Sequence, residues 1–166
     1  MSRGFWVFLA LGLAVAGGLV FTLLTATKGA HLRLEGKILK VRVLALAGSG
    51  ASVVVVDFRA TNPSDVPFIT NAVSLRLEPA TGDAIDGRTA SKTDLENIFH
   101  YEKLIGPKYN PVLSLQDRIP PHQTVDLMAG ARFELPETAI NARKTIRLRL
   151  EDVDGASAEF TESPVP

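Results

Sequence analysis

Three histidines, an acidic cluster near the C-terminus and a serine between two glycines are the side chains whose types and spacing could do chemistry in this 166-residue chain. His31, His100 and His122 are far apart, with no His-x-x-x-His or His-Glu-x-x-His pairing to hold zinc from one helix face. Asp152, Asp154, Gly155, Ser157 and Glu159 place oxygens at alternate positions, as a calcium loop does. The twelve-residue loop is not completed, however, and Asp154-Gly155 has a separate use as a two-residue hairpin turn. Ser49 in Gly48-Ser49-Gly50 lacks the Gly-x-Ser-x-Gly frame of a nucleophile elbow. Cysteine is absent, which excludes disulfides, thiolate ligands, thiol nucleophiles and lipid attachment through a cysteine. The 18 basic and 18 acidic residues balance, so no field for a nucleic-acid backbone is implied. The expectation is a non-enzymatic chain with no metal and no cofactor. A hydrolase with a triad assembled from distant residues is a lesser alternative.

Two groups suit contact rather than bond-making. Phe99, His100, Tyr101, Tyr109 and Asn110 gather aromatic and polar groups around a helix end and a Gly/Pro loop, and are the expected partner-binding residues. Lys28, Arg33, Lys37, Lys40 and Arg42 follow a long apolar segment. They can touch anionic headgroups, but alternation with Leu34, Ile38, Val41 and Val43 favours a solvated strand face.

The apolar segment, Gly4 to Thr27, carries no charge over about 24 residues. A bilayer core of roughly 30 Å needs about 20 apolar residues as helix. The run exceeds the roughly 7–15 residues of a cleavable signal, so an uncleaved transmembrane signal anchor over 4–27 is expected. The positive-inside rule taken literally puts the following domain in the cytoplasm. Because the basic residues belong to a strand, the expectation is instead a periplasmic or extracellular domain. The organisation read here is residues 1–30 as anchor and 31–162 as one domain.

That domain reads as strands. Residues 32–46 alternate, with Gly36 as a bulge or break; Ala51–Thr61 contains four consecutive valines, the mark of a central strand buried on both faces. Strands are expected over Ile69–Glu78, at the edge over Asp83–Thr89, over Val112–Ile119, over Val125–Leu135 and around Ile146–Leu150, with Ala156–Thr161 returning. Thr93-Asp94-Leu95-Glu96 reads as a capping box opening a helix of about ten residues that Gly106-Pro107 ends. Leu95, Ile98 and Phe99 would then plug an open end of the domain. The fold class predicted is all-β, an immunoglobulin-like antiparallel β-sandwich with one inserted short helix; a barrel is second.

Three stretches carry a family resemblance. VVVVDFRATNPSDVPF resembles the strand and Asn turn of bacterial extracellular immunoglobulin-like domains of unknown function, and is similar to the type 2 late-embryogenesis-abundant (water-stress) domain. RIPPHQTVDLMAGARFELPE resembles the first group's late strand, ending in Phe133-x-x-Pro136, and IRLRLEDVDG is similar to the closing strand of both. Residues 93–111 match neither pattern. The resemblance implies an accessory or interaction module of the bacterial cell envelope, binding an envelope protein, and supplies no catalytic residue. A stress-protective role is the alternative it implies.

Overall fold

The computed structural model describes Gly12, residues 15–18 and residues 34–162. The chain divides into two compact units, Met1–His31 and Leu32–Pro166. In the first, Gly12 and residues 15–18 are helical. The rest of the predicted spanning helix lies outside the described residues, and among those described no helix is long and apolar enough to cross a membrane.

The second unit is a β-sandwich. Its strands are β1 (Glu35–Ala45), β2 (Ser52–Thr61), β3 (Phe68–Glu78), β4 (Ile85–Asp86), β5 (Arg88–Thr89), β6 (Arg118–Ile119), β7 (Thr124–Phe133), β8 (Thr145–Asp152) and β9 (Ser157–Thr161). Helix α1 (Lys92–Tyr101) and a 3₁₀ turn (Lys103–Ile105) lie between β5 and β6, and α2 (Glu137–Asn141) lies between β7 and β8. One sheet has the order β1-β2-β7-β5; the other runs β4-β3-β8-β9, with β6 pairing the start of β3. All named pairings are antiparallel. The main core lies between the sheets, with Val54, Val56, Phe58, Ala131 and Phe133 from the first and Leu75, Leu77, Ile146, Leu148, Leu150 and Phe160 from the second.

β2 is buried from Ser52 to Phe58, as the valine run predicts. Val54 and Val56 face the main core, whereas Val53 and Val55 belong to a second apolar cluster on the sheet's other face. In that cluster Leu95, Ile105, Val112 and Met128 meet Leu44. The inserted segment therefore covers the outer face of the first sheet and does not plug an end of the sandwich. The other sheet's outer face carries ion pairs such as Arg147–Glu78 (2.6 Å), Arg147–Glu159 (3.0 Å) and Arg149–Glu151 (2.8 Å).

Several sequence expectations shift. The bulge in β1 falls between Ile38 and Lys40, not at Gly36. Leu34 and Ile38 face the core from even positions, Val41 and Val43 from odd ones, so one extra residue, Leu39, must intervene. Gly36 is instead a point of close approach: a Cβ there would collide with the Arg59 carbonyl oxygen and lie 2.7 Å from Phe160 Cζ. The edge strand predicted at 83–89 breaks at Gly87 into β4 and β5, which join different sheets. Gly87 makes that crossing because a side chain there would meet Phe133 at 2.6 Å. Of the strand predicted at 112–119, two residues pair as β6; Val112 makes an isolated bridge to Met128, and the chain turns at Gln116 with φ 68°. The last hairpin has three loop residues rather than two. Asp152 N–H donates to Ala156 O (2.7 Å), Gly155 N–H donates to Asp152 O (3.0 Å), and Gly155 takes φ 84°.

The Asn-Pro turn is held by Asn62, which is fully buried. Its Nδ2 donates to Val66 O (2.8 Å) and Ile119 O (3.0 Å), and its Oδ1 accepts from Ser64 N–H at 3.1 Å. The Asp152 carboxylate, considered above for calcium, accepts the Ile69 and Asp154 amides at 2.5 and 2.9 Å. Gly36→Ala is expected to destabilise the domain by about 1–3 kcal/mol, because backbone atoms must move to admit one methyl. Urea unfolding followed by Trp-independent far-UV circular dichroism measures it, and an unchanged midpoint contradicts the close approach.

Candidate functional site

The site begins with an arginine in β1. After the Leu39 bulge, Lys40, Arg42 and Leu44 alternate with the core-facing Val41 and Val43. Arg42 is 7% exposed, so it is not part of a solvated basic face. The reason is the inserted segment, which lies over it and supplies acceptors. Arg42 Nη2 pairs with Asp57 Oδ2 of β2 at 2.7 Å, and Nη1 donates to the carbonyls of Pro107 (2.8 Å) and Ile105 (3.3 Å). Asn110 Nδ2 donates to the other Asp57 oxygen at 2.9 Å. The guanidinium carbon lies 4.9 Å from the Phe99 ring centroid and 5.6 Å from that of Tyr109, within cation–π range.

Of the five residues predicted to bind a partner, three meet here. Phe99, Tyr109 and Asn110 surround the Arg42–Asp57 pair, while His100 and Tyr101 stack edge to face on each other at 4.7 Å on the exposed end of α1. Of the basic residues, Lys40 holds its ammonium 5.3 Å from the Tyr109 ring centroid, and Lys37 is exposed. Lys28 and Arg33 lie outside the described residues. Two contributors went unread in the sequence. Asp57 was legible as a charge inside a strand expected to be buried on both faces. Leu104, 89% exposed on the 3₁₀ turn, gave no signal.

Local structure fixes the segment from both ends. α1 starts two residues earlier than predicted, with the capping box at Ser91 and Asp94. Ser91 Oγ accepts the Asp94 amide (3.1 Å), and the Asp94 carboxylate accepts the Ser91 amide (3.1 Å). The start is set by the sheet, because Ala90 N–H is still bonded to Gly130 O of β7 at 2.9 Å. Leu95 then lies over Gly130, where a Cβ would come within 2.6 Å of its Cδ2. On this segment Tyr101 (74%), Leu104 (89%) and Tyr109 (61%) stand exposed.

Nearby, an open groove of about 650 Å³ follows β3 past the start of α1. Ala72, Val73, Ala90, Leu113 and Leu115 line it with Ser91, Ser114 and Lys92, and its lining holds no histidine and no carboxylate. No group of three or more His, Cys, Asp or Glu suited to a metal occurs among the described residues. The arrangement is one of packing, stacking and hydrogen bonding.

Comparison with protein families found none that matches this chain, and no curated protein sequence matches it. Its fold is similar to solved structures. The candidate lipoprotein YcdA of Bacillus subtilis aligns over 82% of this chain at 11% identity, with a TM-score of 0.50. This chain spans 38% of that protein's length. An uncharacterised β-sandwich protein of Clostridium difficile aligns over 78% of this chain and 85% of its own, at 12% identity and a TM-score of 0.40. At such identity the likeness to the first of these is one of fold alone.

Two outcomes test the site. Asp57→Ala strands the buried guanidinium and is expected to cost about 3–5 kcal/mol in urea unfolding, distinctly more than the double change Arg42→Met with Asp57→Leu. The Asp94 carboxyl is held below the ordinary aspartate range, first by the Ser91 hydroxyl, then by the Ser91 amide. A lowered pKa means that the cap's contribution is present above the ordinary aspartate pKa and is lost as pH falls through the lowered value. In Ser91→Ala the NMR titration midpoint of Asp94 should rise toward the ordinary aspartate value; an unmoved midpoint would dismiss the capping box.

Proposed function

We propose that this chain is a non-catalytic binding module of the immunoglobulin-like kind, held at a bacterial envelope membrane by its N-terminal segment and engaging a protein partner through the segment covering the first sheet. One observation carries the reading. Tyr101, Leu104 and Tyr109 are exposed on a segment whose underside is locked by Leu95, Ile105 and the Arg42–Asp57–Asn110 cluster. Exposed aromatic and aliphatic side chains on an ordered support lose little entropy on binding, and tyrosine offers both an apolar ring and a polar tip.

Membrane attachment is supported by the uncharged run Gly4–Thr27. YcdA is described as a candidate lipoprotein, which is consistent with an extracellular setting for this fold. This chain has no cysteine to carry a lipid, so its own attachment would run through the apolar segment.

Cross-linking in intact membranes, followed by mass spectrometry, tests the reading. Tyr101→Ala with Leu104→Asp is expected to reduce partner cross-links at least about tenfold with little change in unfolding midpoint. Equal yields from variant and parent, or recovery of the parent as a lone monomer, would remove the cover from consideration as the binding surface.

A further inference from the structure

The segment from Ala90 to Val112 leaves and rejoins the first sheet at neighbouring points. Ala90 N–H donates to Gly130 O at 2.9 Å, and Leu113 N–H donates to Met128 O at 2.8 Å; Met128 N–H in turn donates to Pro111 O at 2.9 Å. Gly130 and Met128 lie on the same strand, β7, with one residue between them. Close ends and internal packing define a compact excursion from the surface.

Its energetics are separable too. Leu95, Ile105 and Val112 belong to the second apolar cluster, which shares no member with the main core. Among the described residues no strand pairing involves residues 91–111. The polar ties across the middle of the segment run from Arg42 to the Ile105 and Pro107 carbonyls and from Asn110 to Asp57. Regions with their own small cluster and few ties open at lower free energy than the global core.

We propose that residues 91–111 open as one cooperative unit from a sandwich that stays folded, with the Arg42–Asp57–Asn110 cluster as the latch. Opening bares Leu44, Val53, Val55 and Met128 on the first sheet and strips Arg42 of its carbonyl acceptors. The device stands whether or not the tyrosines above it engage a partner.

Hydrogen–deuterium exchange of the full-length chain in detergent micelles, read at single amides by NMR, tests it. The amides from Leu95 to Glu102 and that of Gly106 are expected to exchange through a shared opening, faster than those of Leu75 and Leu148. Asn110→Ala removes one tie and keeps the ion pair; it should accelerate the whole group together, on the order of tenfold, and leave β3 and β8 unchanged. Leu95→Ala should do the same from the other end of the segment. The proposal is overturned if the cover amides keep pace with β3 and β8 in the parent and both variants. It is equally overturned if acceleration in Asn110→Ala stops at residues 106–110, or if neither variant changes the exchange of α1.

Discussion

Taking a guanidinium and a carboxylate out of water costs several kcal/mol per ion even after the protein relaxes, and this sandwich does so on the outside of one of its sheets. Arg42 and Asp57 meet at 2.7 Å with both side chains almost wholly covered. What makes the pair tolerable is the material above it: two backbone carbonyls, the Asn110 amide and two aromatic rings. The dependence is mutual. Without the charges the loop after α1 would lose the acceptor and donor that fix it; without the loop the charges would return to water. The second sheet shows the alternative, since its outer face keeps Arg147, Arg149, Glu78 and Glu159 in solvent, where each pair contributes little.

Much of the sandwich was legible because alternation and β-branched runs report directly on burial. The four valines of β2 implied two buried faces, and both exist. What they could not reveal was the identity of the second layer, since a strand reports that it is covered, not by what. Reading Leu95, Ile98 and Phe99 as an end plug assigned the right side chains to the wrong face. The capping box was misplaced by two residues because Thr93-x-x-Glu96 and Ser91-x-x-Asp94 both satisfy the local pattern. Only the tie from Ala90 to Gly130, distant in sequence, selects between them. The predicted strand at 112–119 failed for a similar reason: its apolar residues are shared between two clusters rather than lined along one face, with Val112 in the second cluster and Leu113 in the main core.

The candidate site was half readable. Aromatic and amide side chains around a Gly/Pro loop pointed to residues 99–110, and three of the five converge on one ion pair. Arg42 was read with its basic neighbours as a wet stripe because a one-dimensional alternation assigns charge to solvent. The missing step was to match it with Asp57, the other charge set among apolar residues on an adjacent strand. Together they mark an outer sheet face that must be roofed.

The Leu39 bulge sets a counting rule for β1. On the N-terminal side even-numbered residues face inward, and beyond it odd-numbered ones do. Remove that single leucine and the alternation becomes continuous: Ile38 and Val41 would stand two places apart, both still inward, with Arg42 still beneath the roof and only the bulge lost. A strand at the rim of a sheet commonly tolerates a change in length, and here the interval between Ile38 and Val41 can lose its extra residue without moving Arg42 off the outer face. Chains sharing this architecture are therefore expected both with and without the extra residue at this point, with the buried charge in the same place.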